Sequence, residues 1–157
     1  MLHLRRPIVA GLLLFGLTAL SAYAKPNFTG SWKLNSAKSE FGQFPAPASM
    51  TQKATHEDPS LKVATKMATD NGDFDFESTY STDGKETTNT FGPNPMKSVA
   101  KWEGDTLTIQ TKGQFGDGEI TIQDKWDLSE DGKTLTMRRH FASSQGEMDQ
   151  KYVLEKQ

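Results

Sequence analysis

The stretch Phe28-Thr29-Gly30-Ser31-Trp32-Lys33-Leu34-Asn35 decides the fold, because it opens the folded part of the chain and predicts its first β-strand. Gly30 has no Cβ and therefore permits a tight backbone turn where the strand begins. Side chains alternate across a strand, so Trp32 and Leu34 point to the same face. A tryptophan at this place can plug one end of a barrel. We interpret Gly30 and Trp32 as structural residues of that barrel end.

Downstream, short alternating segments are separated by turn residues, which is typical of a sandwich or barrel. From Lys25 onward no segment shows convincing helical periodicity. Asp83-Gly84 predicts a type I′ hairpin that places Phe76 opposite Phe91, and Gly104-Asp105 predicts another two-residue turn. About ten strands result, and closing them removes the exposed edges of a flat sheet. We predict an all-β fold, a single antiparallel up-and-down β-barrel of about ten strands.

Three segments depart from this alternation. Residues 36–48 contain two prolines and predict a loop or cap, with room for one helical turn over residues 36–40. The second strand, over about residues 48–57, is poorly patterned. Residues 113–118 predict a glycine-rich hairpin loop.

Residues 1–24 predict a secretory signal that is absent from the mature protein. Arg5-Arg6 forms its basic front, residues 8–20 its apolar run, and Ala22-Tyr23-Ala24 its cleavage site. A membrane span is the alternative, but the apolar run is well short of the roughly 20 residues that cross a bilayer. We therefore expect export to the periplasm or the medium, and one domain over residues 25–157 without a membrane span.

Composition excludes several functional classes. Removing the two arginines of the signal from 18 basic residues leaves 16 against 20 acidic residues, a net charge of −4. This balance argues against a nucleic-acid partner, for which a basic patch is the usual footprint. The chain has no cysteine, which excludes disulfides, thiol catalysis and cysteine-rich metal sites. The domain must be held by its core, and we expect a monomer.

The most informative pattern is a row of inward polar residues on three consecutive strands. If residues 130–133 and 143–146 form four-residue loops, Asp124 lies opposite Arg139 and Arg139 lies opposite Gln150. Burying a charge costs several kcal/mol unless the charge is paired. The row is therefore either structural, fixing the register of the strands, or functional, presenting guanidinium donors to a ligand. We favour the structural role, because Asp124 occupies part of the donor capacity of Arg139.

Large side chains on the predicted inward faces either line a cavity or fill it. Small and polar inward neighbours such as Ser78 and Ala100 favour a partly open interior. The residues that we expect to contact a ligand are Arg139, Gln150, Tyr152, Asp124, Tyr80, Phe76, Trp102 and Met137.

Candidate catalytic and metal-binding residues are scarce. A metal site needs three or four converging ligands, and neither His56 nor His140 has a suitably spaced partner. We interpret both as solvated surface histidines. A haem-binding barrel would need an inward axial histidine, and only His56 could serve as that ligand. The sequence contains no nucleophile elbow, phosphate loop or Ser-His-Asp set. We expect no enzyme, no cofactor and no metal.

The opening Gly30-Ser31-Trp32, followed by Phe41, resembles the first strand of the calycins, the superfamily of lipocalins and fatty-acid-binding proteins. The ending Tyr152-Val153-Leu154-Glu155-Lys156 is similar to the fatty-acid-binding ending. The chain resembles more closely the small exported lipocalin-like proteins of bacteria. This resemblance implies a barrel that holds a small molecule in its lumen.

The resemblance also implies roles for particular residues. In lipocalins the matching tryptophan packs on an arginine near the chain end, a role for Arg138 or Arg139 here. The fatty-acid binders have a helix-turn-helix lid, which has no counterpart in residues 36–48. Their Arg-x-Tyr carboxylate clamp on the last strand is replaced by Gln150-Lys151-Tyr152, without the charged half.

We predict an exported lipocalin-like protein that binds a small hydrophobic or amphipathic ligand and catalyses no reaction. The alternative is a protein-interaction barrel with a filled core, such as an envelope accessory factor or a hydrolase inhibitor. Its contact surface would be residues 36–48 and 113–118. A lumen of roughly a few hundred Å³ favours the carrier, and a solidly packed centre favours the alternative.

Overall fold

A computed structural model describes residues 24–115 and 118–157, which form one antiparallel sheet of ten strands that nearly closes on itself. The order across the sheet is β4-β3-β2-β1-β10-β9-β8-β7-β6-β5, so the first and last strands are neighbours. This arrangement confirms the predicted all-β barrel. The strands are β1 (Gly30–Leu34), β2 (Ser49–Glu57), β3 (Ser60–Thr69), β4 (Gly72–Ser81), β5 (Asp83–Phe91), β6 (Asn94–Glu103), β7 (Thr106–Phe115), β8 (Gly118–Leu128), β9 (Thr134–Ser143) and β10 (Gly146–Lys156).

Most of the predicted secretory signal, residues 1–23, lies outside the described residues, as do residues 116 and 117. Within the described ranges, no helix has the length and apolar character needed to cross a membrane.

The strand registers agree with the hairpin predictions over most of the sheet. Trp102 pairs with Leu107 across the β6–β7 turn, as the Gly104-Asp105 turn predicts. Asp124 pairs with Arg139 between β8 and β9, and Arg139 pairs with Gln150 between β9 and β10. The inward polar row is therefore confirmed in its register.

The β4–β5 pair differs from the prediction, because these two strands lie at opposite ends of the hydrogen-bonded order. The side-chain amide of Asn89 connects β4 and β5 in place of a row of backbone hydrogen bonds. Its Oδ1 accepts from the Thr79 backbone N–H at 2.7 Å, and its Nδ2 donates to the Thr79 carbonyl at 3.1 Å. Phe76 and Phe91 remain neighbours, with ring centroids 5.3 Å apart. The backbone pairing predicted around Asp83-Gly84 is therefore wrong, although the two strands meet.

The chain leaves β4 in a direction that a tight hairpin would not allow. The backbone N–H of Thr82 donates to the Pro59 carbonyl at 2.8 Å, so this residue is held by the β2–β3 turn. Asp83 then pairs with Lys101 of β6, and the register shifts before Glu86. These contacts direct β5 onto β6 and open the seam to β4.

β2 alternates regularly, so its description as poorly patterned is wrong. Met50, Gln52, Ala54 and His56 are all buried, and the residues between them are exposed. The sequence hides this pattern because two of the inward residues are polar. One of the two polar groups of the Gln52 amide has a hydrogen-bond partner inside the barrel, since its Nε2 donates to the Thr65 hydroxyl at 3.2 Å.

The predicted glycine-rich loop is also shorter than expected. β7 continues to Phe115, and Gly113 pairs with Met96 on one side and Ile120 on the other. A Cβ on Gly113 would lie 2.2 Å from the Met96 sulfur. This glycine therefore serves close packing within the sheet and does not form a turn.

Trp32 closes one end of the barrel. Its side chain is 1% exposed, and its Nε1–H donates to the Phe28 carbonyl at 2.9 Å. The Lys156 ammonium lies 5.4 Å from the centre of the indole ring. Gly30 makes this approach possible, because a Cβ there would lie 2.7 Å from Cε of Lys156.

The structure corrects the partner that the lipocalin resemblance implied for this tryptophan. Arg138 bonds to the Asp127 carboxylate on the outer face at 2.5 Å, and Arg139 bonds to Asp124. Both guanidinium groups are thereby held by neighbouring strands. Lys156, which pairs with Trp32 across β1 and β10, provides the cation instead.

Residues 36–48, which we call the strap, run along the part of β10 that the short β1 does not reach. A 3₁₀ turn (Ser36–Lys38) opens the strap, in agreement with the predicted helical turn. Glu40 and Lys151 then exchange two backbone hydrogen bonds of 2.7 Å. Phe41 packs edge-on against Tyr152, with ring centroids 5.7 Å apart. The strap is therefore a loop that packs along β10, in agreement with the predicted loop or cap.

Candidate functional site

The lumen contains a cavity of about 90 Å³ between β2–β4 on one side and β8–β10 on the other. Its lining combines apolar and aromatic side chains with one charged group, four hydroxyl-bearing residues and one carboxamide. The lining residues are Met50, Gln52, Val63, Thr65, Met67, Phe76, Ser78, Tyr80, Trp126, Met137, Arg139 and Tyr152.

Five of the eight predicted ligand-contacting residues line this cavity. They come from three strands, with Phe76 and Tyr80 on β4, Met137 and Arg139 on β9, and Tyr152 on β10. Strand alternation brings them together, because each occupies an inward position of its strand.

Asp124 lies behind Arg139 and is the partner of its guanidinium. Nε of Arg139 donates to one carboxylate oxygen at 2.7 Å, and Nη2 donates to the other at 2.9 Å. The Asp124 side chain is 5% exposed, and that of Arg139 is 33% exposed. Burial acts to lower the pKa of Arg139, but the adjacent carboxylate outweighs it and raises this pKa above its usual value.

Two tyrosines flank this ion pair. The guanidinium carbon of Arg139 lies 5.7 Å from the ring centre of Tyr152, a cation–π distance. Burial raises the pKa of the Tyr152 hydroxyl. Burial, together with the negative charge of Asp124, also raises the pKa of Tyr80. Both hydroxyls are therefore protonated at neutral pH and are able to donate hydrogen bonds.

Gln150 completes the polar row but is not among the cavity-lining residues. Its Nε2 donates to the Phe41 carbonyl at 3.1 Å, so its amide holds the strap against β10. This side chain is buried, in agreement with its inward position.

Trp102 lies at the barrel end that Trp32 closes, because both contact Phe28, and it is not among the cavity-lining residues. Its ring stacks on Phe28 with centroids 5.8 Å apart and on His56 at 6.0 Å. Its indole N–H points to the Asp58 carboxylate at 3.4 Å. The structure therefore places Trp102 in the packing of the barrel end and not with the other predicted contacts.

The interpretation of His56 as a solvated surface residue is wrong, because this side chain is 4% exposed. The segment before β1 folds over it, and the Phe28 backbone N–H donates to its Nδ1 at 3.3 Å. Its Nε2 lies 3.4 Å from the Asp58 carboxylate. Hydrogen bonding to Thr82 is the main cause of the lowered pKa of Asp58. Both ring nitrogens of His56 thus face protein groups.

His140 lies on the outer face as predicted, 40% exposed, with Nδ1 2.8 Å from the Asp149 carboxylate. Across the described ranges, no three His, Asp or Glu side chains converge as a metal site would require.

Known protein structures share this arrangement over most of the chain. Zebrafish ileal bile acid-binding protein, complexed with cholic acid, matches with a TM-score of 0.59 and 16% identity, over 83% of this chain and 98% of that chain. A secretory abundant heat soluble protein from Ramazzottius varieornatus matches with a TM-score of 0.57 and 12% identity, over 85% and 97%. These likenesses show the fold, a ten-stranded calycin-like barrel. Wild-type fluorescent protein UnaG matches this barrel with a TM-score of 0.56 and 14% identity, over 83% and 97%. No family model and no curated protein sequence matches the chain.

Among the described residues, the lumen also contains two buried polar atoms without a hydrogen-bond partner. They are Oε1 of Gln52, an acceptor, and Nε1 of Trp126, a donor. Both residues line the cavity and are less than a tenth exposed. A buried polar group without a partner costs about 1–3 kcal/mol, so these atoms favour a polar guest. The lumen is thus able to bind an apolar body and a hydrogen-bonding end together.

Proposed function

We propose that the protein is an exported, monomeric, lipocalin-like binding protein that holds a small hydrophobic or amphipathic molecule in its lumen and catalyses no reaction. The observation that carries this proposal is the cavity itself, which combines apolar lining with buried, unpartnered Gln52 and Trp126 atoms. Most buried polar groups in native structures have a hydrogen-bond partner, so two unpartnered groups beside one cavity are unusual.

The lining supplies two different sources of affinity. Met50, Val63, Met67 and Met137 present apolar surface, whose removal from water contributes roughly 25 cal/mol per Å². Arg139 orients the polar end with the donors that Asp124 leaves free. The volume, about 90 Å³, is smaller than the lumen of roughly a few hundred Å³ that we expected of a carrier, and it is below the roughly 300–1,000 Å³ of pockets for drug-sized ligands. We therefore infer a ligand with few heavy atoms.

Three further features support the proposal. The zebrafish neighbour carries cholic acid on the same fold, an argument by analogy. Residues 1–24 have the pattern of a secretory signal, which supports export to the periplasm or the medium. The net charge of −4 in residues 25–157 argues against a nucleic-acid partner.

A series of straight-chain alcohols from butanol to octanol tests the binding function and measures the cavity. We expect the affinity for the alcohol, measured by titration calorimetry, to rise about fourfold with each added methylene, since burying one CH₂ contributes about 0.8 kcal/mol. The rise should stop at the length that fills the lumen. In Ser78→Phe the added ring occupies the cavity, and we expect binding to be lost.

Glu77→Phe is the matched control, because it adds the same ring to the same strand on the exposed face. This variant should bind the alcohols as the wild type does. Absence of saturable alcohol binding in the folded wild type, or equal binding by Ser78→Phe, would contradict the proposed function.

Two observations favour the alternative of a protein-interaction barrel. The cavity is smaller than the lumen of roughly a few hundred Å³ expected of a carrier. Phe44 is 52% exposed, and it is the one large hydrophobic side chain in the described residues that is exposed. It belongs to the strap, which the alternative requires as a contact surface. Loss of alcohol binding in Ser78→Phe with retention in Glu77→Phe would favour the carrier over this alternative.

A further inference from the structure

The charges around the cavity cancel. Among the described residues that line the cavity, Arg139 alone is charged, and both oxygens of the Asp124 carboxylate already accept from it. The carboxylate is 5% exposed, so solvent screens it little. An anionic ligand that approached the guanidinium would add a second negative charge to a pair that is already neutral. The fit for a carboxylate is therefore poor.

The hydrogen-bonding groups, in contrast, are not exhausted. An arginine has five N–H donors, and Asp124 takes one from Nε and one from Nη2, which leaves three. Nε1 of Trp126 is a further donor, and Oε1 of Gln52 is an unpaired acceptor. A polar group that both accepts and donates, and that carries no charge, matches this set.

We propose that the lumen selects ligands with an uncharged polar end, such as a carboxamide or an alcohol, and discriminates against carboxylates. This inference rests on the proposed binding function and specifies its ligand class. The Asp124–Arg139 pair is then a selectivity element as well as a structural one, because it offers donors without offering net charge.

Hexanamide and hexanoate test this selectivity, because they share a carbon chain and nearly the same shape but differ in charge at pH 7.5. We expect the wild type to bind hexanamide at least about tenfold more tightly than hexanoate, because like charges brought together disfavour binding. Asp124→Asn removes the neutralising charge and should reverse the order. Equal or tighter binding of hexanoate by the wild type would overturn the inference.

A second variant keeps the test decisive if Asp124→Asn does not fold. Asp124→Asn combined with Arg139→Gln replaces the ion pair by two amides and should retain the preference for hexanamide. The alcohol series separates the two proposals. Suppose that hexanol binds. If the affinity for hexanoate then equals or exceeds that for hexanamide, or if neither of these two compounds binds, the proposed selectivity is wrong and the binding function stands. If hexanol also fails to bind, both fail.

Discussion

Replacing Arg139 with methionine is expected to lower the free energy of unfolding by about 3–5 kcal/mol, measured by urea denaturation. The variant leaves the Asp124 carboxylate, 5% exposed, without the two hydrogen bonds that it now accepts. Asp124→Leu should cost less, about 1–3 kcal/mol. The reason is that the Arg139 side chain that remains is 33% exposed and reaches the cavity.

The double variant Arg139→Met with Asp124→Leu is the control for this asymmetry. Replacing a buried ion pair by apolar residues of similar volume is often neutral or stabilising. We therefore expect it to be more stable than Arg139→Met alone. If the double variant lost as much stability as the two single variants together, the two side chains would not be coupled. That result would contradict the structural role of the pair.

Truncating Trp32 to alanine is expected to have an effect of similar size, a loss of about 3–5 kcal/mol. The indole is 1% exposed and fills the barrel end between Phe28 and Lys156. Trp32→Phe should cost less, about 1–3 kcal/mol, because it keeps apolar volume but leaves the Phe28 carbonyl without its donor.

Lys33→Ala provides the comparison, because Lys33 is the next residue of β1 and is exposed. Surface substitutions usually change stability by about 0.5 kcal/mol or less. If Trp32→Ala lost no more stability than Lys33→Ala, Trp32 would not be the residue that closes the barrel end.

The sequence predicted the polar row because both loops around it are short and the side-chain period of a strand is two. A shift of one residue would have moved Asp124, Arg139 and Gln150 to the outer face. The need to keep the charged pair inward thus fixed the register between β8 and β9. The β4–β5 seam carried no such constraint, since it is held by the Asn89 amide and not by a ladder.

Alternation predicts which face of a strand a side chain occupies but not its level along the barrel axis. Strands of a barrel are tilted, so inward residues of different strands meet at different heights. Trp102 is inward as predicted, yet it lies at the barrel end with Phe28 and His56. The burial of His56 was also not predicted, because the segment that covers it precedes β1 and has no strand pattern.

Gln52 was the cavity residue hardest to predict from the sequence. It occupies an inward position of β2, where glutamine looks like an interruption of an apolar face. Its amide bonds to Thr65 through Nε2 and leaves Oε1 for the lumen. A buried carboxamide that lines the same cavity as an arginine indicates a polar guest only once the register of the strands is known.

The indole N–H resonance of Trp126 tests most directly whether the lumen is the binding site. The chain has three tryptophans, so ¹⁵N-labelled protein should give three such signals. During titration with hexanol, the Trp126 signal should move, because its Nε1 is unpaired and its side chain lines the cavity. The Trp32 signal should stay, since that N–H is bonded to the Phe28 carbonyl. A stationary Trp126 signal at saturating hexanol, or movement of the Trp102 signal alone, would contradict a ligand site in the lumen.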